Sequence, residues 1–359
     1  MFLELIEYLY NIFTPFRVFG YLTFRSAFAA LTTLLFCFLF GGKIIEYLRR
    51  LKIGQSIRED GPATHLLKSG TPTMGGVFII LSVVIAMLFW GNLQNRAVWI
   101  TLGAFVAFGA IGFIDDYLKV SRHSSEGLPA WMKLICQFVA AIAVVMIIYF
   151  TGAEETTVLY IPFFKEPLID MGWVWIPFAV LLVVGESNAV NISDGLDGLL
   201  AGLLIIVFFT LAAITYITGR FDWSEYLGMP YIPEAGELTV FCLAAAGACV
   251  GFLWFNSHPA EVFMGDVGSL SLGGVIAVIS LIIKKEILIL IIGGVFIIEI
   301  ASVVIQVVSF KLRGKRIFRM APLHHHYELI GWSESKTVIR FWILGGLFAI
   351  IALSTLKIQ

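Results

Sequence analysis

The sequence predicts an all-α polytopic membrane protein, a single integral domain over residues 1–359, with about ten transmembrane helices and both termini on the outer side. Three observations carry that expectation. Mean hydropathy is +0.92 across the 359 residues. Only 14% of residues are charged, against about 25% in water-soluble chains. Apolar runs near the bilayer-crossing length of about 20 residues recur from end to end. The alternating short strands of a membrane β-barrel are missing, and a net charge of −1 gives no basis for a nucleic-acid partner.

In chain order the apolar segments are 22–46, 75–92, 97–118, 131–151, 171–189, 198–218, 237–256, 267–283, 287–311 and 337–357. Residues 1–20 carry Tyr8, Tyr10, Phe13 and Phe16 without a basic stretch, which suits an interfacial segment rather than a leader peptide. Cys37, Cys136, Cys242 and Cys249 fall inside the segments and form no CxxC pair, so they read as small packing residues. No internal repeat and no linker is evident. The connections 1–2, 3–4 and 9–10, with their helix ends, hold 16 of the 24 Lys and Arg residues. Connections 5–6 and 7–8 share that side and add none. The positive-inside rule makes this side cytoplasmic, so 152–170 and 219–236 become outer loops.

Four polar stretches then fall on the cytoplasmic side: Asp115-Asp116, the run from Asn188 to Gly198, the run from Asn256 to Asp266, and Pro322 to Glu328. Acidic connections facing basic ones suggest a metal and a polyanionic substrate. Asp115 and Asp116 sit near a helix C-terminus, where the macrodipole disfavours negative charge. Adjacent helix positions differ by about 100°, so the two are expected to diverge, one toward a metal or acceptor and the other toward a second partner. The ordinary explanation pairs both with Lys119 at i+4 and i+3. Two carboxylates on one lysine leave a charge over, and carboxylates at membrane depth are functional suspects.

Asp194, Asp197 and Asp266 flank helix starts, where capping explains each alone. Together with Asn188, Asn191, Gly195, Gly198 and Gly265 they suggest loops that bring N–H groups to a ligand. Mg²⁺ suits such oxygen donors, taking one or two carboxylates plus substrate phosphates. Phe263 could stack on a nucleobase or anchor at the interface. His324, His325 and His326 lack the spacing of a helical zinc site; contact with phosphate or sugar fits better, after five cations between Lys311 and Arg319 that also suit inner-leaflet anchoring. Lys68 before Ser69–Gly76 suggests phosphate approach without being a Walker loop. Glu299 and Gln306 are either glue between helices or the lining of a lipid groove.

Asp115-Asp116, Asn188–Asn191 with Asp194–Gly198, Pro259–Ser269 and Ala321–Glu328 together resemble the polyprenyl-phosphate N-acetylhexosamine-1-phosphate transferases over nearly the whole chain. Gly70–Gly76 and the triple histidine resemble the muramoyl-pentapeptide branch rather than the N-acetylglucosamine branch. Ile192-Ser193 stand where Leu-Thr is usual, and Gly185-Glu186-Ser187 precedes Asn188; neither removes a carboxylate. The resemblance implies ten helices in the bacterial cytoplasmic (inner) membrane, a cytoplasmic site, and Mg²⁺. It implies transfer of phospho-MurNAc-pentapeptide from UDP-MurNAc-pentapeptide to undecaprenyl phosphate, giving lipid I and UMP. Asp115, Asp116 and Asp266 would be the catalytic carboxylates, with Asp266 on the metal. Asn191, Asp194, Gly195, Leu196, Asp197 and Phe263 would form the uridine side, beside Asn188. Lys68, Thr73, His324, His325 and His326 would contact phosphate or sugar.

Such a reaction brings two polyanions together, so charge neutralisation is its main demand. Direct attack, with Asp115 taking or orienting the acceptor's proton, is expected over a covalent aspartyl intermediate. One rival is a sister transferase using UDP-N-acetylglucosamine. Another is a cation-coupled transporter, which would place charges at mid-membrane and show inverted repeats. A homodimer through a membrane span is possible, though no small-residue motif places it.

Overall fold

The computed structural model describes residues 14–50, 70–122, 127–152, 154–162, 164 and 167–357. Lys68 and the aromatic residues Tyr8, Tyr10 and Phe13 lie outside the described residues. The helices are α1 (Leu22–Arg50), α2 (Gly76–Trp90), α3 (Arg96–Ser121), α4 (Ala130–Thr151), α5 (Trp175–Ile192), α6 (Leu199–Thr218), α7 (Phe221–Leu227), α8 (Leu238–Asn256), α9 (Gly265–Ile282), α10 (Leu288–Ile292), α11 (Gly294–Arg313), α12 (Leu323–Leu329) and α13 (Glu334–Thr355). One small exception to the all-α expectation is a two-stranded antiparallel pair, β1 (Val158–Leu159) with β2 (Ile169–Asp170).

Among the described residues, nine helices are long and apolar enough to cross a membrane. The second apolar segment gives a shorter helix, α2, of 15 residues, about 22 Å at 1.5 Å per residue. The ninth is not continuous. It breaks at Gly293 into α10 and α11, where two adjacent glycines weaken helix propensity. Local chemistry sets other ends: Asn95 caps α3 by accepting from Ala97 and Val98 N–H at 2.8 and 3.3 Å.

Burial sorts the helices into layers. Residues 267–281 of α9 are buried all round, as an apolar helix without a polar face must be. It packs on α3 and α5, while α8 packs on α1, α2 and α6. Small residues permit the close crossings, as membrane helices require. A Cβ at Gly247 of α8 would stand 2.6 Å from Thr33 Oγ1 and 2.8 Å from Ala30 Cα on α1. Cys37, Cys242 and Cys249 are fully buried and all four cysteines are free, in line with a packing role. At one end of the bundle Arg25 joins Glu237 at 2.6 and 2.8 Å and the Trp90 carbonyl at 3.0 Å. At the other end, consecutive antiparallel helices bring the close of α3 and α5 to the start of α4 and α9.

Candidate active site at four helix ends

Asp115 and Asp116 lie near the end of α3, and Asp266 is the second residue of α9. Oxygens of all three carboxylates lie within 4.8 Å of one another. This corrects the expected divergence of Asp115 and Asp116. Their outer oxygens do part: Asp115 Oδ1 accepts from Leu128 N–H at 2.8 Å, and Asp116 Oδ2 from Val267 N–H at 3.2 Å. Their other oxygens converge on Lys119, whose Nζ is 2.6 Å from Asp115 Oδ2 and 3.3 Å from Asp116 Oδ1. A carboxylate has two oxygens, so side chains leaving the helix in different directions still share a centre. Lys119 also reaches Asp266 Oδ2 at 2.8 Å. The lysine pairing and the acidic cluster are therefore one arrangement, not alternatives.

A second lysine, Lys133 in the first turn of α4, stands 2.7 Å from Asp266 Oδ2 and 3.8 Å from Asp115 Oδ2. Sequence reasoning counted Lys133 only as a loop charge. Its signal was a cation one turn into the helix that follows Asp115-Asp116. Asn191 fixes the other oxygen of Asp266: its Nδ2 donates to Asp266 Oδ1 and to Ser269 Oγ, both at 2.7 Å. Asn188, one turn earlier, donates instead to Gln137 Oε1 and the Val184 carbonyl at 2.8 Å. It ties α5 to α4 rather than facing the carboxylates.

Capping does not explain the loop aspartates. The residue before α6 is Gly198, with φ +78°, and the residue before α9 is Met264; neither helix start has a side-chain cap. Asp194 accepts from Gly265 N–H and faces Asp266 and Asp116. Burial first, then those two negative charges, push its carboxyl up to about 7. Gly265 has φ +74°, and a Cβ there would overlap Asp116 Oδ2 and stand 2.9 Å from Thr73 Oγ1. Glycine is the residue that can turn the chain here while Thr73 and Asp116 close in. The 72–76 strand of chain is fixed by Phe263 N–H on the Pro72 carbonyl, with Gly75 and Gly76 N–H on the Phe263 and Met264 carbonyls, at 2.8–2.9 Å. That holds Thr73 and Phe263 beside the cluster.

Asp197 goes elsewhere. Its Oδ2 accepts from Ala260 N–H and meets His258 Nδ1, both at 3.1 Å. Glu334 at the start of α13 accepts Asp197 N–H at 2.8 Å and lies 3.5 Å from the same histidine nitrogen. Leu196 is buried. The three histidines part company on α12. His324 is fully buried against Gly195, with Nδ1 3.3 Å from Glu299 Oε2. His325 meets Glu328 at 2.9 Å, and His326 Nδ1 accepts Arg319 N–H at 3.1 Å. Glu299 ties α11 to α12, whereas Gln306 holds the loop that follows its own helix. Glu299 also accepts Leu323 N–H at 2.8 Å, and Gln306 holds Ile317 and Phe318 through three bonds of 2.9–3.0 Å.

The donor set suits a hard divalent cation. All three cluster ligands are oxygens within 4.8 Å of one another; neighbouring oxygens around Mg²⁺ stand about 3 Å apart and opposite ones about 4 Å, so the carboxylates would close in on the ion. Asp115, Asp116, Asp194 and Asp266, when ionised, outnumber Lys119 and Lys133 by two charges, which one divalent ion would balance.

The sequence pattern of glycosyl transferase family 4 matches residues 98–284, which hold Asp115, Asp116, Asn191, Asp194 and Asp266. Signature 1 of the phospho-N-acetylmuramoyl-pentapeptide-transferases matches residues 68–80. A phospho-N-acetylmuramoyl-pentapeptide-transferase of Thermodesulfovibrio yellowstonii is 51% identical over 361 residues, covering all of both chains. Its counterpart in Koribacter versatilis is 49% identical over 98% of this chain and 97% of its own. A converging acidic cluster in a polytopic helical bundle, two sequence patterns and full-length identity near one half lead to one assignment: the chain belongs to the phospho-N-acetylmuramoyl-pentapeptide-transferase family.

Proposed function

We infer that this protein transfers phospho-MurNAc-pentapeptide from UDP-MurNAc-pentapeptide to undecaprenyl phosphate, giving lipid I and UMP. The observation that carries the reading is the Asp115–Asp116–Asp266 cluster braced by Lys119 and Lys133 at the bundle's end, in a chain of this family. An acceptor oxygen forms a bond to the phosphorus nearer the sugar, and the bond to the UMP oxygen breaks. The acceptor phosphate is largely dianionic near neutral pH, so it needs orientation and charge neutralisation more than a strong base. Lys119 and Lys133 hold the approaching phosphates. Asp115, fixed through Leu128 N–H, orients the acceptor and takes any remaining proton. Asn191 keeps Asp266 turned toward the cluster. Asp266, with Asp115 and Asp116 near it, would hold Mg²⁺, which supplies charge neutralisation for the leaving UMP. His325 and His326, with Thr73 and Lys68, serve the phosphate and sugar side, with His324 buried behind Gly195; Asp194, Gly195, Leu196, Asp197 and Phe263 serve the uridine.

A lipid acceptor keeps its tail in the bilayer while its phosphate meets the site, which suits carboxylates at helix ends. The charge bias of the connections supports ten spans in the inner membrane, with this site cytoplasmic and both termini outside. The test is UMP release by detergent-purified protein given both substrates and Mg²⁺, beside a UDP-N-acetylglucosamine control, an EDTA arm and Asp266→Asn. Activity with the muramoyl donor, lost with EDTA and with the variant, is the expected result. Activity only with the control sugar would move the protein to the sister branch. Labelled UMP exchanging into the donor without acceptor would overturn direct attack.

A further inference from the structure

Asp197, His258 and Glu334 come from three separate parts of the chain and meet at one point. Asp197 closes the loop between α5 and α6, His258 opens the loop between α8 and α9, and Glu334 begins α13. The Glu334 side chain is 9% exposed and that of Asp197 2%. One carboxylate thus works in two directions: Glu334 Oε1 takes the backbone N–H of Asp197 at 2.8 Å, and Oε2 faces His258 at 3.5 Å. Asp197 returns the link through Oδ2, which takes Ala260 N–H and meets His258, both at 3.1 Å. Asn256 adds a parallel tie, accepting Gly198 N–H at 3.1 Å and donating to the Val262 carbonyl at 2.9 Å.

Each of the two loops joined here carries a member of the acidic cluster's surroundings. The first holds Asp194, three residues before Asp197. The second runs through Phe263 to Asp266. The joint therefore sets the spacing between Asp194 and Asp266, and it is anchored on a helix that contributes nothing to the cluster itself. These loops lie outside the membrane-spanning helices, so the water-soluble donor meets them, whereas the acceptor arrives from the lipid. A buried hydrogen bond from a backbone N–H to a carboxylate is charge-assisted and among the stronger ones, and removing the acceptor leaves the N–H unsatisfied.

We propose that Glu334, acting with His258 on Asp197, is a positioning residue that sets how the nucleotide donor binds, without touching the reacting phosphates. The proposal rests on the transfer reading above. Its test is steady-state kinetics of full-length Glu334→Ala and Glu334→Gln in detergent, with both substrates varied, beside thermal unfolding and direct binding of UMP. Gln keeps the oxygen that accepts Asp197 N–H and loses the charge toward His258. The expected result for Ala is a rise of about tenfold in donor KM and in the UMP dissociation constant, with acceptor KM held and melting temperature lowered by no more than a few degrees. Gln restores donor KM to within about threefold of wild type. Unchanged donor KM and UMP affinity in the Ala variant would overturn the proposal. So would a parallel loss of kcat, of both substrates' binding and of melting temperature, which marks a residue that only holds the fold. A wild-type protein that binds UMP yet releases none from the muramoyl donor would overturn the transfer reading, and this assignment to its donor with it.

Discussion

Replacing Gly112 by alanine tests whether the acidic cluster depends on the crossing of α3 and α9. Gly112 lies one turn before Asp116. A Cβ there would overlap the carbonyl oxygen of Asp266 and stand 2.6 Å from Val267 N. Both are backbone atoms in a buried helix start, so no side chain can swing away to make room. Restoring ordinary contact parts the helices by about 1 Å, an overpacking that costs about 1–3 kcal/mol. The same shift draws Asp115 and Asp116 from Asp266, loosening the Val267 N–H bond to Asp116 and the lysine bridges. A displacement of about 1 Å at reacting groups can cost about 10²-fold in rate. The assay is UMP release with saturating substrates, read beside thermal unfolding. Gly103→Ala on the same helix is the control, because a Cβ there meets nothing within 4 Å; it is expected to be neutral or to stabilise by up to about 1 kcal/mol. The expected result is a fall in kcat of about 100-fold for Gly112→Ala, with a lowered melting temperature and an active Gly103→Ala. Wild-type rate and stability in Gly112→Ala would refute the idea that this contact sets the cluster's geometry.

Two further outcomes follow from groups near the bundle's interior. Asp194 is an acid whose folded-state pKa is raised from 3.8 to about 7, so the folded chain holds a proton that the unfolded chain releases; stability is therefore fullest below about pH 4 and falls as pH rises to about 7. Asp194→Asn is expected to flatten the fall in melting temperature over that window, measured without divalent cations, and an unchanged slope would count against the assignment. Glu186 on α5 is 2% exposed, has no hydrogen-bond partner on either oxygen among the described residues, and points at Gly293, where α10 gives way to α11. Leucine of similar volume removes an unsatisfied buried carboxyl, so Glu186→Leu is expected to stabilise by about 1–3 kcal/mol in thermal or denaturant unfolding; a loss of stability would show that the carboxyl has a partner.

The sequence by itself determined the helical membrane class, the approximate limits of the apolar segments, the carboxylates Asp115, Asp116 and Asp266, and the family. Those are properties of composition and local spacing: a bilayer sets helix length, and rare acids at helix ends stand out against an apolar background. It could not decide which partners each polar group meets. Asp194 and Asp197, three residues apart with the same capping explanation, go to different places, one to Asp266 and the other to His258 and Glu334. Asn188 and Asn191, one helical turn apart, likewise separate between Gln137 and Asp266. Lys133 enters the site from another helix, and the three adjacent histidines disperse to Glu299, Glu328 and Arg319. The break at Gly293 was also hidden, because an uninterrupted apolar run reads the same whether the helix is straight or divided. Partnership across helices depends on where small residues such as Gly112, Gly247 and Gly265 let backbones approach, and that is fixed only when the whole bundle packs.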